Sequence, residues 1–260
     1  MRWVCIVFPQ LALDGVQRLH PEPDAPLALL AGTPQRRVLQ TVNAAARALG
    51  LRPGQSLTAA HALVKAFASA EYDPVQIERW QQFLAAWAYR FSSQVSVYYP
   101  RALLFEIESS LGLFGPWPLF EARLRKELTE LGFRHRIVAA PNPAAARVLA
   151  NLYDGLAVAD DAALLQALAP VPIDRAGLEP QAATALSRMG LRTLAHVQAL
   201  PRHTLARRFE AGLLQHLDAL SGRRPLALDF YQPPDQFDVR IELNFDVHSH
   251  QALLFPLRRL

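Results

Sequence analysis

The chain opens MRWVCIVFPQLALDGV, and this stretch limits what can follow it. Trp3 to Phe8 is an unbroken apolar run of strand length, and Pro9-Gln10 interrupts it just ahead of a helical stretch from Leu11 to Leu19. A buried strand, a tight turn and a helix form an edge on which several enzyme folds mount metal-binding carboxylates. Here that edge carries Val7, Phe8 and Pro9, and the first acid is Asp14.

Composition narrows the class. Hydrophobic residues make up 51% of the 260 positions and charged residues 19%, which describes a folded chain and excludes a disordered one. The length accommodates more than one domain. No apolar run approaches the roughly 18 residues of a membrane span. The opening run is also too short for a secretory signal, so the chain reads as cytoplasmic. Cys5, the single cysteine, has no intrachain partner and reads as an inert core residue. Lys+Arg (27) exceed Asp+Glu (23), and all the cations but Lys65 and Lys126 are arginine. A net charge of +4 is only a weak pointer to nucleic acid.

Along the chain, Leu27 to Ala31 predicts a strand. RRVLQTVNAAARALG holds a second strand running into a helix that Gly50 and the RPGQ turn end. Ser56 or Thr58 caps an alanine-rich helix reaching Ala70, giving a small helical insert. Asp73 to Tyr89 has helical periodicity, whereas Gln94 to Tyr98 and Ala102 to Glu108 read as a hairpin. A helix from Leu119 to Leu131, a strand from His135 to Ala140 and a helix from Pro143 to Leu152 follow. This order predicts an α+β sheet with helices on one face. From Leu164 the pattern is wholly helical and reads as a separate domain. Gly222 to Pro234 reads as a linker and Arg240 to Phe245 as a new strand. The amphipathic pattern at Leu260 is that of a piece of a longer chain.

Several features bear on chemistry. GLEPQAATALSRMGLRTLAHVQALP resembles a helix-hairpin-helix unit, which offers backbone N–H groups to a phosphate, with Gly177 and Gly190 at its turns. Glu179 and Pro180 stand where a second glycine and a base are usual. Arg202, Arg207 and Arg208 would add charge for DNA, or line a solvated face. Glu106 and Glu108 are the close carboxylate pair on a predicted strand, fit for a divalent metal or simply solvated. Asp160-Asp161 suits a helix cap, and His248 and His250 alone make a poor zinc site. No phosphate-binding glycine loop or nucleophile elbow occurs.

Taken together, NAAARALGLRPGQSLTAAHAL, SSLGLFG and MGLRTLAHV resemble the Y-family translesion DNA polymerases across essentially the whole chain. AYRFSSQVS, the LFG segment and ALLFPLRRL resemble the ImuB-type branch. The resemblance implies an α+β multidomain fold: palm 1–12, fingers 13–74, palm 75–165, a helical thumb 166–232, and from 233–260 a linker and the start of a little finger. Such polymerases hold two divalent ions with carboxylates. The matching positions here are Val7 and Pro9, or Phe8 and Gln10 one register on, followed by Arg101 and Ala102. None supplies an anion. In the triphosphate pocket the family's Tyr-x-x-Arg falls on Ala44 to Arg47, leaving Arg47 as a remnant, and its later lysine falls on Asp154. The bulky residue that excludes ribonucleotides falls on Ala12 or Leu13.

The resemblance therefore implies a non-catalytic homologue with no metal or other cofactor. It would act as an adaptor in damage-induced mutagenesis, holding primer-template DNA by its backbone. The partners it implies are a sliding clamp, a RecA-like protein and an error-prone replicative-type polymerase, with no membrane. QALLFPLRRL has an order similar to short clamp-docking peptides, and its apolar residues suit an ordinary amphipathic helix better. Two alternatives stand beside this reading: an active polymerase with a metal site built from Glu106, Glu108 and Asp14, or a protein-interaction module without DNA binding.

Overall fold

The computed structural model of the protein describes residues 2–18, 20, 22 and 24–234. β1 (Trp3–Val7) is buried at every position, and α1 (Leu11–Gln17) follows the Pro9-Gln10 break. β2 (Leu27–Ala31) pairs antiparallel with β3 (Val38–Val42). Two short helices come next. Asn43 caps α2 (Ala44–Ala48) by accepting from the Ala46 N–H, and Ser56 caps α3 (Leu57–Leu63) by accepting from the Ala59 N–H. β4 (Ala68–Glu71) then returns parallel to β2, completing a small sheet of order β3-β2-β4. The insert expected to be helical is thus built on a sheet. The helix expected to reach Ala70 stops at Leu63, because pairing with β2 outweighs alanine's helix propensity at Ala68 and Ala70.

Asp73 caps α4 (Pro74–Tyr89), accepting from the N–H groups of Val75 and Gln76. The hairpin β5 (Val95–Ser96) and β6 (Ala102–Glu106) leads through a short 3-10 turn, Glu108–Ser110, into α5 (Leu111–Phe114) and α6 (Trp117–Glu130). β7 (Arg136–Ala140), α7 (Pro143–Ala150) and β8 (Leu156–Ala157) complete a large sheet of order β5-β6-β1-β7-β8. β1 lies at its centre, antiparallel to both neighbours.

Helices cover this sheet on both faces, correcting the expectation of one. Trp3, Cys5, Val7, Leu104 and Val138 pack toward α7; Val4, Ile6, Phe8, Phe105 and Ile137 pack toward α4 and α6. A strand buried on both faces needs apolar residues at every position, which is why WVCIVF does not alternate.

The helical region consists of α8 (Asp161–Leu168), α9 (Pro180–Arg188), α10 (Leu194–Gln198), α11 (Arg202–Arg208) and α12 (Ala211–Leu220). Asp160 caps α8, its side chain accepting from the Ala163 N–H at 2.8 Å. Leu164, Leu186, Val197 and Leu220 continue the core that begins on β1 and α7, so the region is fused to the large sheet instead of closing a core of its own. Beyond α12 the chain crosses to the far sheet edge. On the way Phe230 stacks on Trp3 of the central strand, and at the edge the Tyr231 N–H donates to the Val95 carbonyl at 2.7 Å. The expected strand Arg240 to Phe245, His248, His250 and QALLFPLRRL lie outside the described residues. Among the described residues, no helix is long and apolar enough to cross a membrane.

Candidate nucleic-acid interface

The positions singled out by their missing carboxylates come together. Val7 pairs with Ala102 on one side and Arg136 on the other, and the Phe8 N–H donates to the Arg101 carbonyl at 2.8 Å. Pro9 and Arg101 both line a cleft of about 350 Å³ between the large and small sheets. Ala12, Leu13, Thr41 and Tyr72 also line it, and no Asp or Glu does. Gln81 on α4 holds the hairpin loop at its mouth, its Nε2 donating to the carbonyls of Tyr99 (2.8 Å) and Ala102 (3.1 Å). Arg101 sits at φ 55°, the one non-glycine residue with positive φ among the described residues. That left-handed conformation costs a residue with a Cβ about 1–2 kcal/mol.

The remaining acids do not assemble a replacement site. Glu106 pairs with Trp3, four positions from Val7 and thus roughly 13 Å along the strand. It is not on a solvated face: it is 4% exposed and accepts from the Glu108 N–H at 2.6 Å and the Ser109 Oγ at 2.7 Å, fixing the turn after β6. β6 ends at Glu106, so the exposed Glu108 belongs to the 3-10 turn and shares no strand face with it. Asp14, buried on α1, accepts from the Arg134 N–H at 2.9 Å. Among the described residues no cluster of three His, Cys, Asp or Glu could hold a metal. The two-metal arrangement that the resemblance implies therefore does not fit these residues.

Burial pushes the Asp14 carboxyl up from 3.8 to about 6, despite the Arg134 backbone bond and charge that oppose it. The folded state holds a proton there that the unfolded chain has released, so stability falls as pH rises through that window. Asp14→Asn keeps an acceptor for Arg134 and removes the buried charge. It is expected to flatten this decline and to stabilise the protein at neutral pH by about 1–3 kcal/mol, read from urea titrations at both ends of the window. A decline of unchanged slope in the variant would show that another group causes it.

The proposed DNA contacts fare unequally. Gly177 has φ 72°, and a Cβ there would meet the His216 ring at 3.4 Å; His216 Nε2 lies 2.8 Å from the Ala176 carbonyl oxygen. Its turn thus packs against α12. Gly190 has φ 84° with open space around it and ends α9. Arg202 is committed to Asp218 through two bonds of 2.7 and 2.5 Å, so it does not present a free cation. Arg207 and Arg208 are exposed in the last turn of α11. Arg47 is exposed on α2 and does not line the cleft. Asp154 is paired with Arg125 at 2.6 Å and accepts from the Ile137 N–H, and these bonds hold its carboxyl below the usual range. The negative charge of Asp154 ties β7 to α6.

Residues 14–151 match the model of the impB/mucB/samB family. The chain belongs to the impB/mucB/samB family. Two curated relatives, each named Protein ImuB and each from a strain of Caulobacter vibrioides, are 32% identical over 185 residues. That alignment covers 71% of this family member and 40% of each relative, so the chain spans about two fifths of their length. Among solved structures, DinB from Sulfolobus solfataricus superposes with a TM-score of 0.68 at 17% identity, covering 88% of this chain and 70% of the other. An insertion ternary complex of Dbh DNA polymerase gives 0.71 at 17% identity and the same coverage. A Y-family DNA polymerase chimera gives 0.70 at 16%, covering 90% and 71%. This impB/mucB/samB member therefore has the Y-family polymerase fold.

One cleft residue and two arginines at the same end of the large sheet escaped the sequence reading of this family member. Gln81 looks like one more polar position on α4, and Arg136 and Arg147 stand in unrelated segments. The fold brings both arginines to Asn151, whose carbonyl accepts from Arg136 Nη1 at 2.9 Å and whose side chain accepts from Arg147. A polar residue breaking an otherwise apolar strand, as Arg136 does before Ile137 to Ala140, was the available signal.

Proposed function

We propose that this protein is a non-catalytic Y-family homologue that holds primer-template DNA and serves as an adaptor in damage-induced mutagenesis. Its partners would be a sliding clamp, a RecA-like protein and an error-prone polymerase that performs the synthesis. The observation carrying this reading is the cleft beside Val7, Pro9, Arg101 and Ala102, which no carboxylate lines. Nucleotidyl transfer by two metals needs anionic ligands that bring the ions to about 3.5–4 Å from each other. An arginine at one of those positions repels the ions as well. Likeness to the ImuB relatives supports the adaptor role. DNA retention is supported by the exposed Arg207 and Arg208 and by the likeness to the Dbh complexes.

Primer extension with magnesium or manganese tests the catalytic half, and no product above a protein-free control is expected. Extension that Glu106→Gln abolishes, in a variant of unchanged thermal midpoint, would overturn the proposal in favour of the Glu106, Glu108 and Asp14 site. A module without DNA binding is a second reading, favoured by the Arg202–Asp218 pair and by the packing of the Gly177 turn on His216. Anisotropy of labelled primer-template at low salt separates the two, because backbone binding is strongest there.

A further inference from the structure

Where this fold would gather anions, the protein gathers cations. Ala102, Val7 and Arg136 lie abreast on three neighbouring strands, each about 5 Å from the next, and Arg101 immediately precedes Ala102. Arg147 reaches the same end of the sheet from α7, with its guanidinium over the Tyr99 ring, 5.4 Å from the centroid. Tyr99 belongs to the hairpin loop that also carries Arg101. Arg136 and Arg147 donate to different oxygens of Asn151, its carbonyl and its side chain, and both acceptors are neutral. Among the described residues, no ion pair engages Arg101, Arg136 or Arg147. The Nε atoms of Arg136 and Arg147 are buried without hydrogen-bond partners. Three guanidiniums with no counter-charge, two of them partly desolvated, make a region of strong positive potential at one end of the large sheet.

We infer that Arg101, Arg136 and Arg147 form a metal-independent seat for the backbone phosphates of a nucleic-acid strand, with Arg101 as its exposed contact. The inference rests on the proposed DNA binding and adds where the strand lies and what replaces the metals there. Guanidinium forks bind phosphate oxygens bidentately, so the charge is supplied by the chain itself. The unfavourable φ of Arg101, stabilised by the Phe8 bond and by Gln81 across the loop, directs that residue to the cleft.

The test is anisotropy of a labelled primer-template over a range of salt, in EDTA and again in magnesium, with wild type, Arg101→Ala and the Arg101→Ala/Arg136→Gln double variant. Wild type is expected to bind without magnesium. The slope of log K against log salt should shrink by about 1 for each arginine removed. Arg101 is exposed, so the single variant carries the test if the double variant fails to fold. Wild type that binds DNA with the same slope in every folded variant overturns this inference and leaves the proposed function standing; wild type that does not bind DNA overturns both. A fluorescent deoxynucleoside triphosphate in EDTA separates strand phosphate from free nucleotide. Saturable nucleotide binding lost in Arg101→Ala, with strand binding unchanged, would overturn the assignment to a strand.

Discussion

Asn43→Leu is expected to cost about 3–5 kcal/mol and to open the small sheet before the large one. Asn43 is 1% exposed, and its Oδ1 accepts from the N–H groups of Leu27 (3.0 Å) and Ala46 (2.9 Å) while its Nδ2 donates to the Ala25 carbonyl (2.8 Å). One side chain thus starts β2 and caps α2. Leucine would leave two N–H groups and one carbonyl buried or half-buried without partners, each costing about 1–3 kcal/mol less any relief from local opening. The small sheet packs around its own cluster of Ala28, Leu30, Leu39 and Val42, so the damage should stay local. Hydrogen exchange reads this directly: the amides of β2 and β3 should lose protection while those of β1 keep theirs. Equal loss in both sheets would show that the two open as one unit.

Phe105→Ala is expected to cost about 3–5 kcal/mol, the range for deleting a buried ring. Phe105 is fully buried on the central strand pair, facing Val4 and Val95 across β6's two neighbours, in the cluster that holds Trp87, Phe91 and Phe120. Rigid helices on that side, α4 and α6, would collapse little into the space left behind. A shift of the urea midpoint with an unchanged m-value would report it. A loss below about 1 kcal/mol would mean that the face is loosely packed.

How much of this was legible in the sequence depended on how local each cause is. The β1 run, the Asp73 cap of α4 and the Asp160 cap of α8 are written in neighbouring residues and could be read directly. β4 could not: Ala68–Glu71 is small and polar, and becomes a strand only because β2 lies alongside it. The burial of Glu106 is not legible in the sequence, because alternation specifies which residues share a face, not whether that face is covered. The lack of acids at Val7, Pro9, Arg101 and Ala102 is legible because residue type needs no contact to be read, and the structure adds that these positions lie together. The Arg202–Asp218 pair and the meeting of Arg136 with Arg147 join segments far from one another in the chain, and no periodicity announces them.

The order of the large sheet has a mechanical side. The helical region departs after β8, which is one edge of that sheet, and the chain returns to β5, the opposite edge, where the Tyr231 N–H is fastened to Val95. A body hung from both margins of one plate is suspended like a bucket on its handle. Sliding along the strands or swinging on a single tether would break one of these fastenings as well as the core that Leu164, Leu186, Val197 and Leu220 share with β1 and α7, so region and sheet hold together as one body.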